Sequence, residues 1–144
     1  MQVKVKKINE NAKLPHYATP GAGCFDISCV NGAALNSNAS HVLHTGLSFE
    51  IPEGYVMLVF SRSGHGFKHD VRLSNCVGII DSDYRGELMI KMKSDSTFTY
   101  LDIAPGDRIA QGMILPVNQV QFVESETLSE TDRGENGLGS TGVK

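Results

Sequence analysis

Tryptophan, long apolar runs and an even set of cysteines are all missing from this sequence. Its three cysteines, Cys24, Cys29 and Cys76, do not suit a disulfide framework, so reduced thiols in a cytoplasmic compartment are expected. No stretch approaches the roughly 20 apolar residues that span a bilayer. The alternating, polar residues 1–7 differ from a secretory signal. We therefore predict a cytoplasmic protein without a membrane partner.

Neither sign of charge is in clear excess. The chain has 13 Lys+Arg and 16 Asp+Glu, which gives a formal net charge of −3. Such a mildly acidic chain is a poor general binder of nucleic acid, so no nucleic-acid partner is expected. An anionic ligand would require arginines and backbone N–H groups placed together locally. With 144 residues and 40% hydrophobic content, the chain predicts one folded domain.

The hydrophobic residues recur with a period of two, as they do in β-strands. Residues 87–93 alternate, whereas residues 54–60 form a continuous apolar run that predicts a strand covered on both faces. Further segments predict strands at residues 3–5, 25–30, 42–51, 98–103, 108–117 and 119–122. One short helix is expected near residues 64–70. Fifteen glycines and five prolines favour turns, so we predict an all-β, jelly-roll-like barrel of short strands.

The composition changes near the C-terminus. Residues 125–144 contain only three apolar side chains, but four glycines. Such a segment buries too little apolar surface to offset its ordering entropy. We therefore divide the chain into a β-barrel domain, residues 1–124, and a flexible, glycine-rich C-terminal arm, residues 125–144. The arm is either a solvated tail or a segment that orders on a ligand.

Three polar segments are candidates for chemistry, each with a plainer alternative. Residues 61–64 (SRSG) offer a guanidinium, hydroxyls and turn N–H groups to phosphate oxygens, or form an ordinary polar turn. Residues 75–87 predict a hairpin in which Asp81 is either a general base at a strand end or a turn cap. Residues 132–142 combine one arginine, two hydroxyls and four glycines, as a phosphate-wrapping loop does. The five histidines lack metal-ligand spacing.

The order of these segments is more specific than any one of them. Five segments together resemble the homotrimeric dUTPase family, nucleotidohydrolases that convert dUTP to dUMP and pyrophosphate. They are residues 17–27 (YATPGAGCFDI), 61–64 (SRSG), 78–88 (GIIDSDYRGEL), 105–111 (PGDRIAQ) and 133–142 (RGENGLGSTG). The resemblance covers nearly the whole chain, and the third segment is highly specific.

The resemblance implies a jelly-roll subunit in a homotrimer with shared active sites, with dUTP as substrate and Mg²⁺ as cofactor. Asp81 would deprotonate a water for in-line attack on the α-phosphorus, with pyrophosphate as the leaving group. Asp26 would contact the waters of Mg²⁺, which would neutralise phosphate charge. The arm would close over the site of a neighbouring copy.

The resemblance also implies which residues bind the substrate. Those expected to read or line the uracil are Asn75, Gly78, Ile79, Ile80 and Met89. Those expected to hold the phosphates are Arg62, Ser63, Gly64 and Gln111 from the barrel and Arg133, Ser140 and Thr141 from the arm. Gly139 of the arm is also expected to contact the substrate. Tyr84 would pack its ring under the deoxyribose, where a ribose 2′-OH would clash. Leu138 would cover the uracil ring.

Two positions depart from the family pattern, and two other functions stay open. Gly23-Cys24 stands where the family usually has Ala-Gly, and Leu138 stands where the family usually has a phenylalanine that stacks on uracil. The first change would shift the strand near Asp26 without removing its carboxylate. A dCTP deaminase, or a bifunctional deaminase–dUTPase, is similar in fold but is not expected to carry the Asp-Ser-Asp-Tyr turn. A non-catalytic nucleotide-binding regulator with a partner protein is the alternative of another class.

Overall fold

The computed structural model describes residues 1–98 and 100–137. These residues form ten strands and one short helix. In chain order they are β1 (Lys4–Lys7), β2 (Phe25–Ser28), β3 (Ala33–Leu35), β4 (Ser40–Glu50), β5 (Tyr55–Phe60), α1 (Ser63–His69), β6 (Val71–Leu73), β7 (Val77–Ile80), β8 (Glu87–Ser94), β9 (Leu101–Ile103) and β10 (Arg108–Pro116). Among the described residues, no helix has the length and apolar character needed to cross a membrane.

The strands form antiparallel sheets in which neighbours are often distant in sequence. One four-stranded sheet has the order β1-β4-β8-β6, a second has the order β2-β10-β5-β7, and β3 pairs with β9. Such long-range antiparallel pairing is typical of jelly rolls. The predicted all-β, jelly-roll-like fold is confirmed. Its described strands are arranged as separate sheets rather than as one closed barrel.

The core joins the inner faces of the two four-stranded sheets. The core residues that are at most 3% exposed include Leu43, Leu47, Ile90 and Met92 from the first sheet and Ile27, Met57, Val59 and Ile109 from the second. Their alternation with polar residues buries one face of each sheet. Gly112 of β10 lies against the ring of Phe25, where a Cβ atom would come within 2.6 Å of a ring carbon. The close packing of the second sheet therefore requires glycine at this position.

Where a predicted strand is present in the structure, its ends agree with the prediction to within three residues. Three other expectations are wrong. The apolar run of β5 alternates between buried and half-buried side chains, so one copy does not cover both of its faces. Residues 119–122 form no strand because no described strand pairs with them. The predicted hairpin at residues 75–87 is divided between sheets, because β7 pairs with β5 whereas β8 pairs with β4 and β6.

Candidate active site

The divided hairpin creates a slot between two strand edges, which we call the base slot. β7 is the last strand of its sheet and pairs only with β5 in the described chain. β6 accompanies β8 only from Met92 to Ser94, so β8 has no strand partner on this side at residues 88–90. A cavity of about 230 Å³ lies between β7 and this part of β8. A planar ring with hydrogen-bonding edges can take the place of the missing strand there.

All five residues predicted to bind uracil line the base slot, namely Asn75, Gly78, Ile79, Ile80 and Met89. Ile79 and Met89 are 67% and 52% exposed, so they present apolar surface that a bound base would cover. Gly78 backs the slot closely against Val59, because a Cβ atom at residue 78 would lie 3.3 Å from the Cβ atom of Val59. Ser74 also lines the slot. Its buried hydroxyl has no hydrogen-bond partner among the described residues.

Asp81 directly follows β7 and begins the turn that leads into β8. The N–H of Tyr84 donates to the Asp81 carbonyl at 3.2 Å, which closes this turn. Arg85 donates to the carbonyls of Ser82 and Tyr84, at 2.6 and 3.1 Å, rather than to the Asp81 carboxylate. Asp81 is exposed and lines a cavity of about 740 Å³ that shares Ile79 with the base slot. An accessible carboxylate beside a ligand slot is the state that a general base needs.

Tyr84 lies across Gly86 in the same turn. The Tyr84 hydroxyl donates to the carbonyl of Glu87 at 3.0 Å. A Cβ atom at residue 86 would lie 2.5 Å from the Tyr84 Cζ atom and closer still to its hydroxyl oxygen. Only glycine therefore leaves room for the ring in this position. Tyr84 is 42% exposed, which leaves surface for a ligand to cover.

Polar side chains of β4 fix both ends of this turn. The pairing of β4 with β8 shifts register between His44 and Ser48, as it does at a β-bulge. At the shifted segment, the Ser48 hydroxyl donates to the carbonyl of Arg85 at 2.6 Å. The Thr45 hydroxyl donates to the carbonyl of Leu88, also at 2.6 Å. These bonds hold the backbone on either side of Gly86.

The side chain of Glu87 ties the turn to the same segment of β4. Its carboxylate accepts hydrogen bonds from His44 Nδ1 at 2.9 Å and from the Gly46 N–H at 2.8 Å. Burial raises the pKa of Glu87, but the hydrogen bonds from His44 and Gly46 outweigh it, so this pKa lies below its usual value. At neutral pH the ionised carboxylate therefore helps to hold the turn that carries Asp81.

The four residues of the barrel that are predicted to hold phosphate meet because β10 lies between β2 and β5. Gln111 of β10 is opposite Asp26 of β2 and opposite Phe60, the last residue of β5. The Gln111 side-chain amide donates to the carbonyl of Ser61 at 3.0 Å, just before the chain enters α1. The resulting phosphate cavity, of about 420 Å³, includes in its lining Arg62, Ser63, Gly64 and Gln111 together with Cys24, Asp26 and Arg108.

Asp26 is the buried anion of the phosphate cavity. Its side chain is 11% exposed and accepts from Arg62 Nε at 3.0 Å and from Arg108 Nη1 at 2.9 Å, with one carboxylate oxygen for each arginine. Arg62 Nη1 and His65 Nε2 both donate to the carbonyl of Arg108, at 3.2 and 2.9 Å. Two guanidinium groups and one carboxylate leave one positive charge, which suits an anionic ligand.

The described residues do not fit a magnesium ion held directly by the protein. Mg²⁺ requires an octahedral set of oxygen ligands. Both carboxylate oxygens of Asp26 already accept hydrogen bonds from guanidinium groups. Over residues 1–98 and 100–137, no group of three His, Cys, Asp or Glu side chains could hold a metal ion. These observations concern direct coordination only. The contact of Asp26 with Mg²⁺ through water is not tested by them and stays a prediction.

The arm leaves the second sheet after β10 and contains no helix or strand as far as residue 137. Arg133 lies in a tight turn, in which its Nε donates to the carbonyl of Asn136 at 2.9 Å. Within the described chain, Arg133 lines neither the base slot nor the phosphate cavity. The other predicted arm residues, Leu138, Gly139, Ser140 and Thr141, lie outside the described residues. Their roles and the domain boundary stay predictions.

Sequence reasoning misses two residues that the structure brings into these sites. Arg108 lines the phosphate cavity, and its signal was available because it stands in the PGDRIAQ segment beside Gln111. Gly86 also belongs to a matched segment, but its role becomes visible only when the ring of Tyr84 is placed against it.

The jelly-roll fold carries a slot for a planar base, an exposed carboxylate and an arginine-lined cavity. Together these features define a nucleotide-binding protein of the all-β class. The family model for dUTPase matches residues 10–142 of the chain. The chain belongs to the dUTPase family.

Individual relatives extend this likeness over the whole chain. The chain is 41% identical over 142 residues to the deoxyuridine 5'-triphosphate nucleotidohydrolase of Nautilia profundicola, with 99% of each chain covered. The dUTPase of Staphylococcus bacteriophage 80alpha, solved with dUpNHpp, has a TM-score of 0.91 at 29% identity, with 99% of each chain covered. A mutant dUTPase of the S. aureus phage phi11, described with a structural Mg(II) ion, has a TM-score of 0.81 at 25% identity, covering 88% of this chain and 98% of its own.

Proposed function

We propose that the base slot, the Asp81 turn and the phosphate cavity together hydrolyse dUTP to dUMP and pyrophosphate. As a member of the dUTPase family, the chain is a hydrolase of the dUTP phosphoanhydride. The position of Asp81 is the main support for these roles. This exposed carboxylate directly follows the strand that lines the base slot. A base held in the slot would direct its sugar and α-phosphate past the end of β7, toward Asp81.

Asp81 acts in this proposal as the general base. It accepts a proton from the water that attacks the α-phosphorus, while the bond from that phosphorus to the pyrophosphate oxygen breaks. The protein forms no covalent intermediate; it contributes position and charge complementarity. The exposed Asp81 side chain, with Arg85 donating elsewhere, supports this role.

The walls of the base slot support selection of uracil and deoxyribose. Gly78 packs against Val59 on one side, and Leu88 and Ile90 are buried on the other, so a thymine methyl group has little space. The polar edge of the base would meet Asn75 and the backbone of β7. The ring of Tyr84, held over Gly86, would lie against the deoxyribose and clash with a ribose 2′-OH.

Magnesium would arrive with the nucleotide and bind to phosphate oxygens. When bound there, it would neutralise phosphate charge. This placement follows from the absence of a three-ligand cluster among the described residues and from the engagement of both Asp26 oxygens with arginines. Arg62, Ser63, Gly64 and Gln111 would hold the phosphate chain directly.

The active sites are shared between copies of the chain in a homotrimer. The base slot and the phosphate cavity of one copy have no lining residue in common, and Asp81 lines neither. This separation is compatible with a substrate that takes the base slot from one copy and the phosphate cavity from another. Val120, Phe122 and Val123, which are 66%, 93% and 78% exposed, offer apolar surface for a neighbouring copy to cover. The three free cysteines support a location in the reducing cytoplasm.

The role of Asp81 is tested by measuring pyrophosphate release from dUTP with Mg²⁺ present. We expect Asp81→Asn to lower kcat on the order of a hundred-fold or more while it still binds dUpNHpp, because the amide keeps the shape but accepts no proton. Asp83→Asn is the matched control, since Asp83 is an exposed acid of the same turn. Near-normal kcat in Asp81→Asn, or an equal loss in Asp83→Asn, would rule out the assignment.

Shared sites are tested by mixing two inactive variants. Asp81→Asn and Arg62→Ala subunits, unfolded and refolded together in equal amounts, should recover activity in about a quarter of the sites, because each site would then draw intact residues from different copies of a symmetric oligomer. Each variant refolded alone is the control. No recovery in a mixture shown by light scattering to contain hetero-oligomers would place the complete site within one copy.

A further inference from the structure

We propose that Arg72 is a positioning residue for the base slot, because it holds the backbone that presents Asn75 to the base. It acts on residues 74–76, the link between β6 and β7, which we call the Asn75 loop. This inference rests on the proposed function, since it specifies how the slot that would read the base keeps its shape. Arg72 lies outside all five segments that resemble the dUTPase family, so the resemblance assigns it no role.

The Asn75 loop turns the chain sharply from one sheet to the other. β6 belongs to the first four-stranded sheet and β7 to the second, and only three residues connect them. The N–H of Cys76 donates to the carbonyl of Leu73 at 3.1 Å, and the N–H of Val77 donates to the carbonyl of Asn75 at 2.7 Å. Cys76 has a φ of 63°, in the left-handed region that residues with a side chain rarely adopt. Such a conformation persists only where surrounding contacts hold it.

The guanidinium of Arg72 supplies these contacts. Its Nη1 donates to the carbonyls of Leu73 and Ser74, at 3.0 and 3.3 Å. The same nitrogen lies 3.7 Å from the Sγ atom of Cys76. One nitrogen therefore contacts the chain on both sides of Asn75, so the place of Asn75 depends on the place of the guanidinium.

Asp95 fixes the guanidinium in turn. One carboxylate oxygen of Asp95 accepts from Arg72 Nε, and the other accepts from Nη2 at 3.2 Å. A bidentate pair of this kind sets the plane of a guanidinium. The hydrogen bond from Arg72 lowers the pKa of Asp95, so this carboxylate is ionised at neutral pH. Lys93 Nζ lies 3.4 Å from the same carboxylate, and it forms no hydrogen bond to the Asn75 loop among the described residues.

The position of Asn75 matters because its amide lies in the base slot. A Cβ atom at residue 78 would lie 3.8 Å from Asn75 Nδ2, and residues 75 and 78 both line the slot. A side-chain amide offers donors on one side and an acceptor on the other, so its orientation determines whether it matches the polar edge of uracil or that of cytosine. Release of the Asn75 loop should therefore weaken recognition of the base more than it weakens the chemistry at Asp81.

Pyrophosphate release from dUTP and from dCTP tests the proposal, with melting temperatures recorded for every variant. We expect Arg72→Gln to raise KM for dUTP about tenfold, because the released loop loses hydrogen bonds to the base. The kcat should stay within about twofold of wild type, since Asp81 keeps its place. The preference for dUTP over dCTP, measured as the ratio of the two kcat/KM values, should fall as well. A lower melting temperature with unchanged KM and unchanged preference would show a salt bridge that only stabilises the fold, and would overturn the proposal.

Two matched variants separate positioning from charge. Arg72→Lys keeps the positive charge but cannot hold Asp95 and the Asn75 loop together, so its KM should resemble that of Arg72→Gln. Lys93→Gln removes the other cation beside Asp95 and should leave KM and the preference for dUTP at wild-type values. Full recovery in Arg72→Lys, or an equal rise in KM in Lys93→Gln, would overturn the proposal, because a general electrostatic effect would then explain the loss.

A double variant tests whether Arg72 acts through Asn75. In calorimetric titration with dUpNHpp and Mg²⁺, the losses of affinity in Arg72→Gln/Asn75→Ala should be less than additive, because the loop no longer has an amide to place. Strictly additive losses would overturn the proposal. A wild-type protein that neither binds dUpNHpp nor hydrolyses dUTP would instead contradict the proposed function. Wild-type turnover of dUTP with an unchanged KM in Arg72→Gln would overturn this inference alone.

Discussion

Replacing Gly86 by alanine should impair the active site far more than the fold. The new Cβ atom would lie 2.5 Å from Tyr84 Cζ, well inside a normal carbon–carbon contact. The atoms in conflict belong to the outer end of the Tyr84 side chain, which can rotate toward solvent because the residue is 42% exposed. The backbone of the turn stays held by the hydroxyls of Ser48 and Thr45. The ring therefore moves and the turn remains.

The expected magnitude follows from the contact that the ring loses. Rotation of Tyr84 breaks its hydrogen bond to the Glu87 carbonyl, which is worth about 1 kcal/mol of stability. The same displacement removes the surface proposed to lie against the deoxyribose. We expect kcat/KM for dUTP to fall roughly tenfold, which corresponds to about 1.4 kcal/mol of transition-state stabilisation. Discrimination between dUTP and UTP should fall as well.

The assay is pyrophosphate release from dUTP and from UTP, with thermal unfolding measured in parallel. Gly21→Ala is the control, because a Cβ atom at residue 21 meets nothing within 4 Å. Tyr84→Phe removes the hydroxyl but not the ring, so it reports the hydrogen bond alone. Wild-type kcat/KM and wild-type preference for dUTP in Gly86→Ala would refute the reasoning. Thermal unfolding that shows enough unfolded Gly86→Ala to explain the whole loss of activity would refute it too.

Three further predictions address the arm, the acid limit of stability and the thiols. A chain that ends at Glu130 should fold and assemble as wild type does but lose most activity, measured by light scattering and pyrophosphate release; full activity would exclude the arm from catalysis. Glu87→Gln should lower the stability of the protein at neutral pH. Wild type should lose the same stability as pH falls below about 4.5, because the folded-state pKa of Glu87 is lowered. Melting temperatures that run parallel in the two proteins across about pH 3–7 would contradict this. Exposed Cys76 should be alkylated in the native protein and Cys29 only after unfolding, because burial raises the pKa of the Cys29 thiol; mass spectrometry of the modified peptides decides.

The strands and the composition of the site could be predicted from the sequence because they depend on local patterns. Alternation of apolar and polar residues located β4, β8 and β10 to within a few residues. The YATPGAGCFDI, SRSG and PGDRIAQ segments together contain the residues that line the phosphate cavity. Their meeting depends on β10 lying between β2 and β5, and such long-range pairing leaves no local signal in a single sequence.

The remaining errors have the same physical origin. Residues 119–122 alternate as a strand does, but the described chain offers them no partner strand. A local reading of residues 75–87 suggests a hairpin, whereas competition from β5 and β4 separates its two sides and opens the base slot. The bulge after Arg108 shifts the alternation by one residue, so periodicity alone does not show that Arg108 and Gln111 share a face.

The proposed hydrolysis of dUTP is tested most directly by pyrophosphate release from dUTP, dTTP, dCTP and UTP, measured with the purified protein and Mg²⁺, with ammonia release from dCTP recorded alongside. We expect pyrophosphate from dUTP, little from the other three nucleotides, no ammonia, and loss of the dUTP signal in Asp81→Asn. Hydrolysis of dTTP as fast as that of dUTP would contradict the proposed base slot. Ammonia from dCTP, or no turnover of dUTP, would contradict the proposed activity itself.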